Sequence, residues 1–169
     1  MPDPGAPEPA APDLDPPSPA APARASGAPG QIILAFDFGQ RRIGVACGDT
    51  VSRTAAPLHA VPVGSAVPWD ALGSLMREWR PAVLVVGLPY NVDGSESGAA
   101  GAVRCFADEL AKRYALPVRL VDERYSSLEA EGRLKGARES GARKRRVSKP
   151  DIDAAAACII LERWFNEKT

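Results

Sequence analysis

One carboxylate inside an apolar run constrains this chain more than any other feature. Residues 33–49 read ILAFDFGQRRIGVACGD: Ile33, Leu34, Ala35 and Phe36 are continuously apolar, and Asp37 then stands between two phenylalanines. Such a run reads as a strand buried on both faces, where an unpaired carboxylate costs several kcal/mol or gives up its charge. Asp37 therefore requires a partner, and a cation is the natural one. Gly39, two residues on, permits a tight turn, after which RRIGVACGD is expected to return antiparallel beside the first strand. The acid then lies near the middle of a hairpin-bearing sheet.

The first 30 residues take no part in that sheet. They hold ten of the chain's 17 prolines and eight alanines, with no aromatic residue and one leucine. A segment of this composition cannot bury enough apolar surface to offset its ordering entropy, so residues 1–30 are expected to form a disordered, partly polyproline-like tail. It lacks the basic start, apolar stretch and cleavage context of a signal peptide, and no apolar run is long enough to span a bilayer. A soluble, cytoplasmic protein with no membrane partner is the expectation. Residues 31–169 make one domain of ordinary size.

Formal net charge is zero over the whole chain, yet the tail carries four acids against Arg24, which leaves the remainder at +3. The excess concentrates between Arg138 and Lys149, where RESGARKRRVSK holds six basic residues and one acid. That segment reads either as a solvated loop or as an arm that grips phosphates. Cys47, Cys105 and Cys158 show neither zinc nor disulfide spacing and are expected to be reduced core thiols. His59, the single histidine, has no nearby acid to complete a site and reads as a structural or surface residue.

Downstream, short apolar runs alternate with helical spacing. RTAAPLHAVPV (53–63), with Pro57 and Pro62, suits an edge strand. Trp69, Leu72, Leu75, Met76 and Trp79 recur at three and four residues, an amphipathic helix with Pro68 near its start. PAVLVVGLP (81–89) reads as a buried parallel strand and YNVDGSESG as a polar loop. Residues 98–114 form a helix with Val103, Phe106, Leu110 and Tyr114 on one face, and PVRLVDE (117–123) is the last strand. A helical stretch, SSLEAEGRLKG, follows with Ser126 or Ser127 as its cap. DIDAAAACIILERWF comes last, a helix whose alanines permit close approach to a sheet. The order βββαβαβα, three antiparallel strands followed by right-handed crossovers, is a ribonuclease H-like layout: an α/β fold with a mixed five-stranded sheet.

Sheets of this kind bind ligands at the carboxyl ends of their parallel strands. Asp37 on the first strand, Glu123 where the last strand runs out and Asp153 at the start of the final helix can meet there. Two carboxylates ~5 Å apart repel by roughly 3 kcal/mol at an effective dielectric of ~20. A third adds to the clash, so protons or a divalent cation must resolve it, and all-oxygen ligation favours Mg²⁺ or Mn²⁺. Each late acid has a competing neighbour. Asp122 and Glu123 point to opposite faces of their strand, and Asp151 and Asp153 diverge by about 200° around a helix axis. The residues alone leave both choices open, and helix capping has an equal claim on Asp151.

Four segments in order, AFDFGQRRIGVACGD, VVGLPYNVDGS, LVDERYSSLEA and DIDAAAACIILERWF, resemble the YqgF/RuvX family of bacterial ribonuclease H-like nucleases over nearly all of residues 31–167. The family is similar to Holliday junction resolvases, and the resemblance implies a nuclease that matures the 5′ end of pre-16S rRNA. It further implies that Asp37, Glu123 and Asp153 are the catalytic and metal-binding triad, and that Asn91, Gly94, Arg124 and Ser126 lie around the same cleft. Asp151 stands where relatives often carry a non-acidic residue, and the proline-rich tail is outside the family pattern.

The expected chemistry is two-metal hydrolysis of a phosphodiester, with one ion activating water, the other stabilising the leaving oxygen, and Asp37 bridging them. Arg143, Lys144, Arg145, Arg146 and Lys149 would grip flanking phosphates, and Arg124 a nearer one. The partner is then a nucleic acid, pre-rRNA before branched DNA, met in a ribosomal precursor particle by a monomer or homodimer. Few aromatics are available for base stacking, so recognition should rest on backbone and shape. Two rivals differ in class. ATP phosphotransfer on an actin-like version of the fold needs a second such domain, which residues 31–169 do not supply. A binding module that does not cut would be marked by a missing carboxylate.

Overall fold

Among the described residues nine elements follow one another: β1 (Ile32–Phe38), β2 (Arg42–Asp49), β3 (Ala55–Pro62), α1 (Trp69–Trp79), β4 (Val83–Leu88), α2 (Ala100–Tyr114), β5 (Val118–Asp122), α3 (Ser126–Glu139) and α4 (Lys149–Glu167). The computed structural model describes residues 30–91, 93–124, 126–139, 141 and 146–167. The tail up to residue 29 and Arg143, Lys144 and Arg145 of the basic segment lie outside the described residues. The sheet order is β3-β2-β1-β4-β5, antiparallel from β3 to β1 and parallel from β1 to β5. This is the ribonuclease H-like arrangement, with β1 central and the proline-bearing β3 on an edge. SSLEAEGRLKG forms an element of its own, α3, which the eight-element order βββαβαβα omits. The described part of α3 buries only Ala130, against Ala156 and Ile159 of α4, so it carries no broad apolar stripe.

Both faces of the sheet are covered, which explains the continuous apolar run of β1. Leu34 and Phe36 face α1 and α2, packing with Leu72, Phe106 and Leu110. Phe106 meets Phe36 edge-on at 6.0 Å and stacks on Phe38 at 4.5 Å. Ile33 and Ala35 turn the other way, towards Ala157, Ile160, Leu161 and Trp164 of α4. There β2 presents Gly44, Ala46 and Gly48 in alternation. A Cβ at Gly48 would lie 2.8 Å from Leu161 Cδ2, and one at Gly44 would lie 2.0 Å from the carbonyl oxygen of Asp153. Helix α4 therefore rests on the backbone of β2, as its alanine run predicts.

Helices α1 and α2 each end on a left-handed residue, Arg80 (φ 47°) and Ala115 (φ 52°), whose N–H closes the last turn. His59 is exposed on β3. Of the cysteines, all free, Cys158 is buried and Cys47 half-buried, whereas Cys105 is exposed. That corrects the reading of three core thiols: Val103, Phe106 and Leu110 point inward, and position 105 falls outside their stripe. Among the described residues, no helix is long and apolar enough to cross a membrane.

Candidate active site

Alternation along β1 puts Asp37 on the α4 face, two residues beyond Ala35. Its cross-strand partner on β2 is Gly44, the residue on whose backbone Asp153 rests. On the other flank, Phe36 pairs with Val86 of β4, and the next residue is Gly87. A Cβ there would lie 2.6 Å from Glu123 Oε2 and 3.1 Å from Glu123 Cβ. A glycine on each neighbouring strand thus clears the space into which the second and third acids enter. Glycine within a strand marks close approach, and Gly44 and Gly87 were legible on that ground.

The two open choices resolve geometrically. Asp122 turns away and accepts hydrogen bonds from the Arg124 backbone N–H and from Arg124 Nε, both at 2.8 Å. Burial pushes the Asp122 carboxyl up, but those bonds and the guanidinium charge outweigh it and hold it low. Glu123 is left to face Asp37. At α4, the Ser148 backbone N–H and hydroxyl both donate to Asp151 Oδ2, at 2.9 and 2.7 Å, forming a capping box around the first turn. Asp153, two residues on, faces β2.

Asp37 and Glu123 form a buried acidic pair. Burial raises Asp37 to about 6, with a hydrogen bond to Glu123 opposing and the Asp153 charge adding to the rise. Burial also raises Glu123, to about 9, helped by the Asp37 charge. Two ionised carboxylates cannot donate to each other, so their contact places a shared proton on Glu123 at neutral pH. Glu123 Oε2 nevertheless stays buried without a hydrogen-bond partner. Arg163 braces the strand end, donating Nη1 to the Asp122 carbonyl at 2.9 Å.

Asp153 does not complete the cluster directly. Its Oδ2 accepts Arg42 Nε at 2.6 Å, the two side chains being 26% and 27% exposed. Among the described residues, no three acidic, histidine or cysteine side chains are grouped so as to hold a metal ion. The three acids meet at one sheet edge, but as a pair plus one. The donor set fits a hard divalent cation: its atoms are carboxylate oxygens, one is orphaned, and a proton sits where positive charge is wanted. Asp37 and Glu123 could hold it, and Asp153 could join only by leaving Arg42. Arg42 was missed by sequence reasoning, because its partner lies 111 residues away. The available signal was an arginine pair at the turn directly behind Asp37.

The remaining predicted positions frame this edge. Asn91 Nδ2 donates to Ser95 Oγ at 3.0 Å and to the Glu96 carbonyl at 3.3 Å, so its amide builds the loop after β4. Gly94 takes φ 91° in the same loop, and a Cβ there would lie 3.6 Å from Arg124 Nη1. The Arg124 guanidinium sits 5.8 Å from the Tyr90 ring centroid. Ser126 opens α3, and its side chain is outside the description. Arg146 and Lys149 are exposed at the head of α4.

The sequence profile of the RuvX family, described as Holliday junction resolvase, matches residues 31–167. A protein of Legionella pneumophila (strain Paris) is 41% identical over 140 residues, covering 82% of this chain and 98% of its own. One of Xylella fastidiosa (strain M23) is 45% identical over 145 residues, 85% and 93% of the two chains. One of Dechloromonas aromatica (strain RCB) is 46% identical over 134 residues, 79% and 89% of the two chains. All three bear the name "Putative pre-16S rRNA nuclease". Among solved structures, Thermus thermophilus RuvC in complex with a Holliday junction substrate aligns with a TM-score of 0.48 and 16% identity, covering 82% of this chain and 95% of that one. By its profile match and these relatives, the chain belongs to the RuvX family.

Proposed function

We propose that this protein is a metal-dependent nuclease, acting in the cytoplasm on the 5′ end of pre-16S rRNA. The observation that carries the reading is the buried Asp37–Glu123 pair, admitted between Gly44 and Gly87, with an orphaned carboxylate oxygen and Asp153 alongside. A bound Mg²⁺ or Mn²⁺ supplies the Lewis acidity that activates water and steadies the leaving oxygen. Asp37 and Glu123 would hold it through their carboxylates once the shared proton is lost, and Asp153 would be the third ligand. Arg124, braced by Asp122, orients a phosphate beside the Tyr90–Glu96 loop, and the basic residues 143–146 with Lys149 hold the flanking backbone. One chain contributes all three acids, so a monomer suffices for a single cut within a ribosomal precursor particle.

The family description favours a second reading, resolution of four-way DNA junctions, which requires two such sites in a symmetric dimer. Incubation with Mn²⁺ or Mg²⁺ separates the two. A 5′-extended pre-16S rRNA fragment should be cut and a mobile four-way junction left intact, with no cleavage by Asp37→Asn. Symmetric nicks in the junction transfer the assignment to recombination. Undiminished cutting by Asp37→Asn removes the site altogether.

A further inference from the structure

Building on that reading, we propose that Arg42 is a positioning residue that stands in for the cation at Asp153, and that Asp153 exchanges Arg42 for the metal ion when the site is loaded. Arg42 is anchored by the hairpin that carries Asp37: its carbonyl accepts the Gly39 N–H at 3.0 Å, and it opens β2 opposite Pro62. Only its Nε is used, on Asp153, and neither terminal nitrogen has a partner among the described residues. The backbone of Asp153 is equally fixed, pressed on Gly44 below and held by the Ser148–Asp151 capping box one turn earlier. The movement left to Asp153 is therefore rotation of its side chain. Both partners are about one-quarter exposed, at 27% and 26%, so the rotation needs no opening of the core. A single ion pair that solvent still reaches binds weakly, whereas a divalent cation held by Asp37 and Glu123 offers Asp153 a doubled charge. Arg42 thus keeps the third carboxylate ordered without metal and yields it at a small cost in cation affinity.

The test is calorimetric titration of the metal-free, full-length protein with Mn²⁺, with no nucleic acid present, for the wild type, Arg42→Met, Asp153→Asn and the double variant. Releasing Asp153 from a competing pair of this exposure should tighten Mn²⁺ binding about three- to fivefold in Arg42→Met. In the Asp153→Asn background the same change should have no effect. Unchanged or weaker binding by Arg42→Met overturns the exchange. So does an equal gain in the Asp153→Asn background, which reduces Arg42 to a bystander charge. A wild type that takes up no Mn²⁺ fails the cation reading itself, and the exchange with it. Melting curves verify the fold, and Arg42→Gln replaces the methionine variant if the latter does not fold.

Discussion

The two faces of the sheet are packed by opposite means. Towards α1 and α2, large side chains interlock: Phe36, Leu72, Phe106 and Leu110 fill the space between layers. Towards α4, β2 withdraws its side chains beside the cluster of Ile33, Ile160, Leu161 and Trp164, and Gly44 and Gly48 let the helix touch strand backbone. A layer of rotatable side chains can relax around a small change, whereas backbone against backbone has no slack. The first face supplies stability, and the second supplies registration, setting Asp153 opposite Asp37.

The sharpest way to break that comparison is Gly44→Ala against Leu72→Ala. The new methyl at 44 would sit 2.0 Å from the Asp153 carbonyl oxygen and 2.3 Å from its carbon, neither of which can rotate away. Helix α4 must shift, at a cost of about 3 kcal/mol or more, and cleavage should fall at least about a hundredfold as Asp153 leaves Asp37. Leu72→Ala should cost a comparable 2–5 kcal/mol or so through its cavity, yet its folded fraction should cut within a few-fold of wild type. Urea melts and single-turnover rates on the same samples give both numbers. A Gly44→Ala enzyme as active as Leu72→Ala would show that registration is not what the α4 face provides.

Charge divides the faces as well, because the strongly raised carboxyls, Asp37 and Glu123, both lie on the α4 side. Folded Glu123 keeps a proton up to about pH 9, while the unfolded chain releases it near the ordinary glutamate value of 4.5. Between those values the native state binds more protons, so metal-free stability is full below the window and falls as pH rises through it. The slope approaches ~1.4 kcal/mol per pH unit for one proton. Glu123→Gln should flatten the profile, melting several degrees above wild type at pH 8 and converging with it near pH 5. Parallel profiles for the two proteins would mean that the pair shares no proton.

What was legible in the sequence was local. The apolar runs, the prolines at 57 and 62 and the glycine turn at 39 report on their own segments, and the succession of strands and helices, α3 apart, followed from them. Asp37 was legible because an acid in a doubly buried strand has no innocent explanation. The choice between Asp122 and Glu123 was not, because it depends on which face of β5 meets α4; Leu120 and Val121 are both apolar, yet only Val121 is buried. Helix α3 escaped the element order because its apolar contribution is a single alanine. Arg42 escaped because no period or spacing announces a contact between a hairpin and a helix more than a hundred residues later. Glycine on the α4 face was the unused clue: in β2 and β4 it marks where the other chain segments come in.

The smallest expected effect tests how independent that registration is of the helix start. Asp151 accepts two bonds from Ser148 in the capping box, at 2.9 and 2.7 Å, and Asp151→Ala removes both. Loss of such a cap costs about 1 kcal/mol. The first turn should loosen while the contact between Gly44 and the Asp153 carbonyl, one half-turn on, continues to hold the helix. Mn²⁺ affinity and cleavage should then stay within about twofold of wild type, because Asp151 is engaged by Ser148 and Asp153 is fixed from beneath. A tenfold loss of Mn²⁺ affinity would place Asp151 among the ligands. A loss of cleavage with Mn²⁺ binding intact would instead show that the cap, and not the bare backbone of β2, sets the position of Asp153.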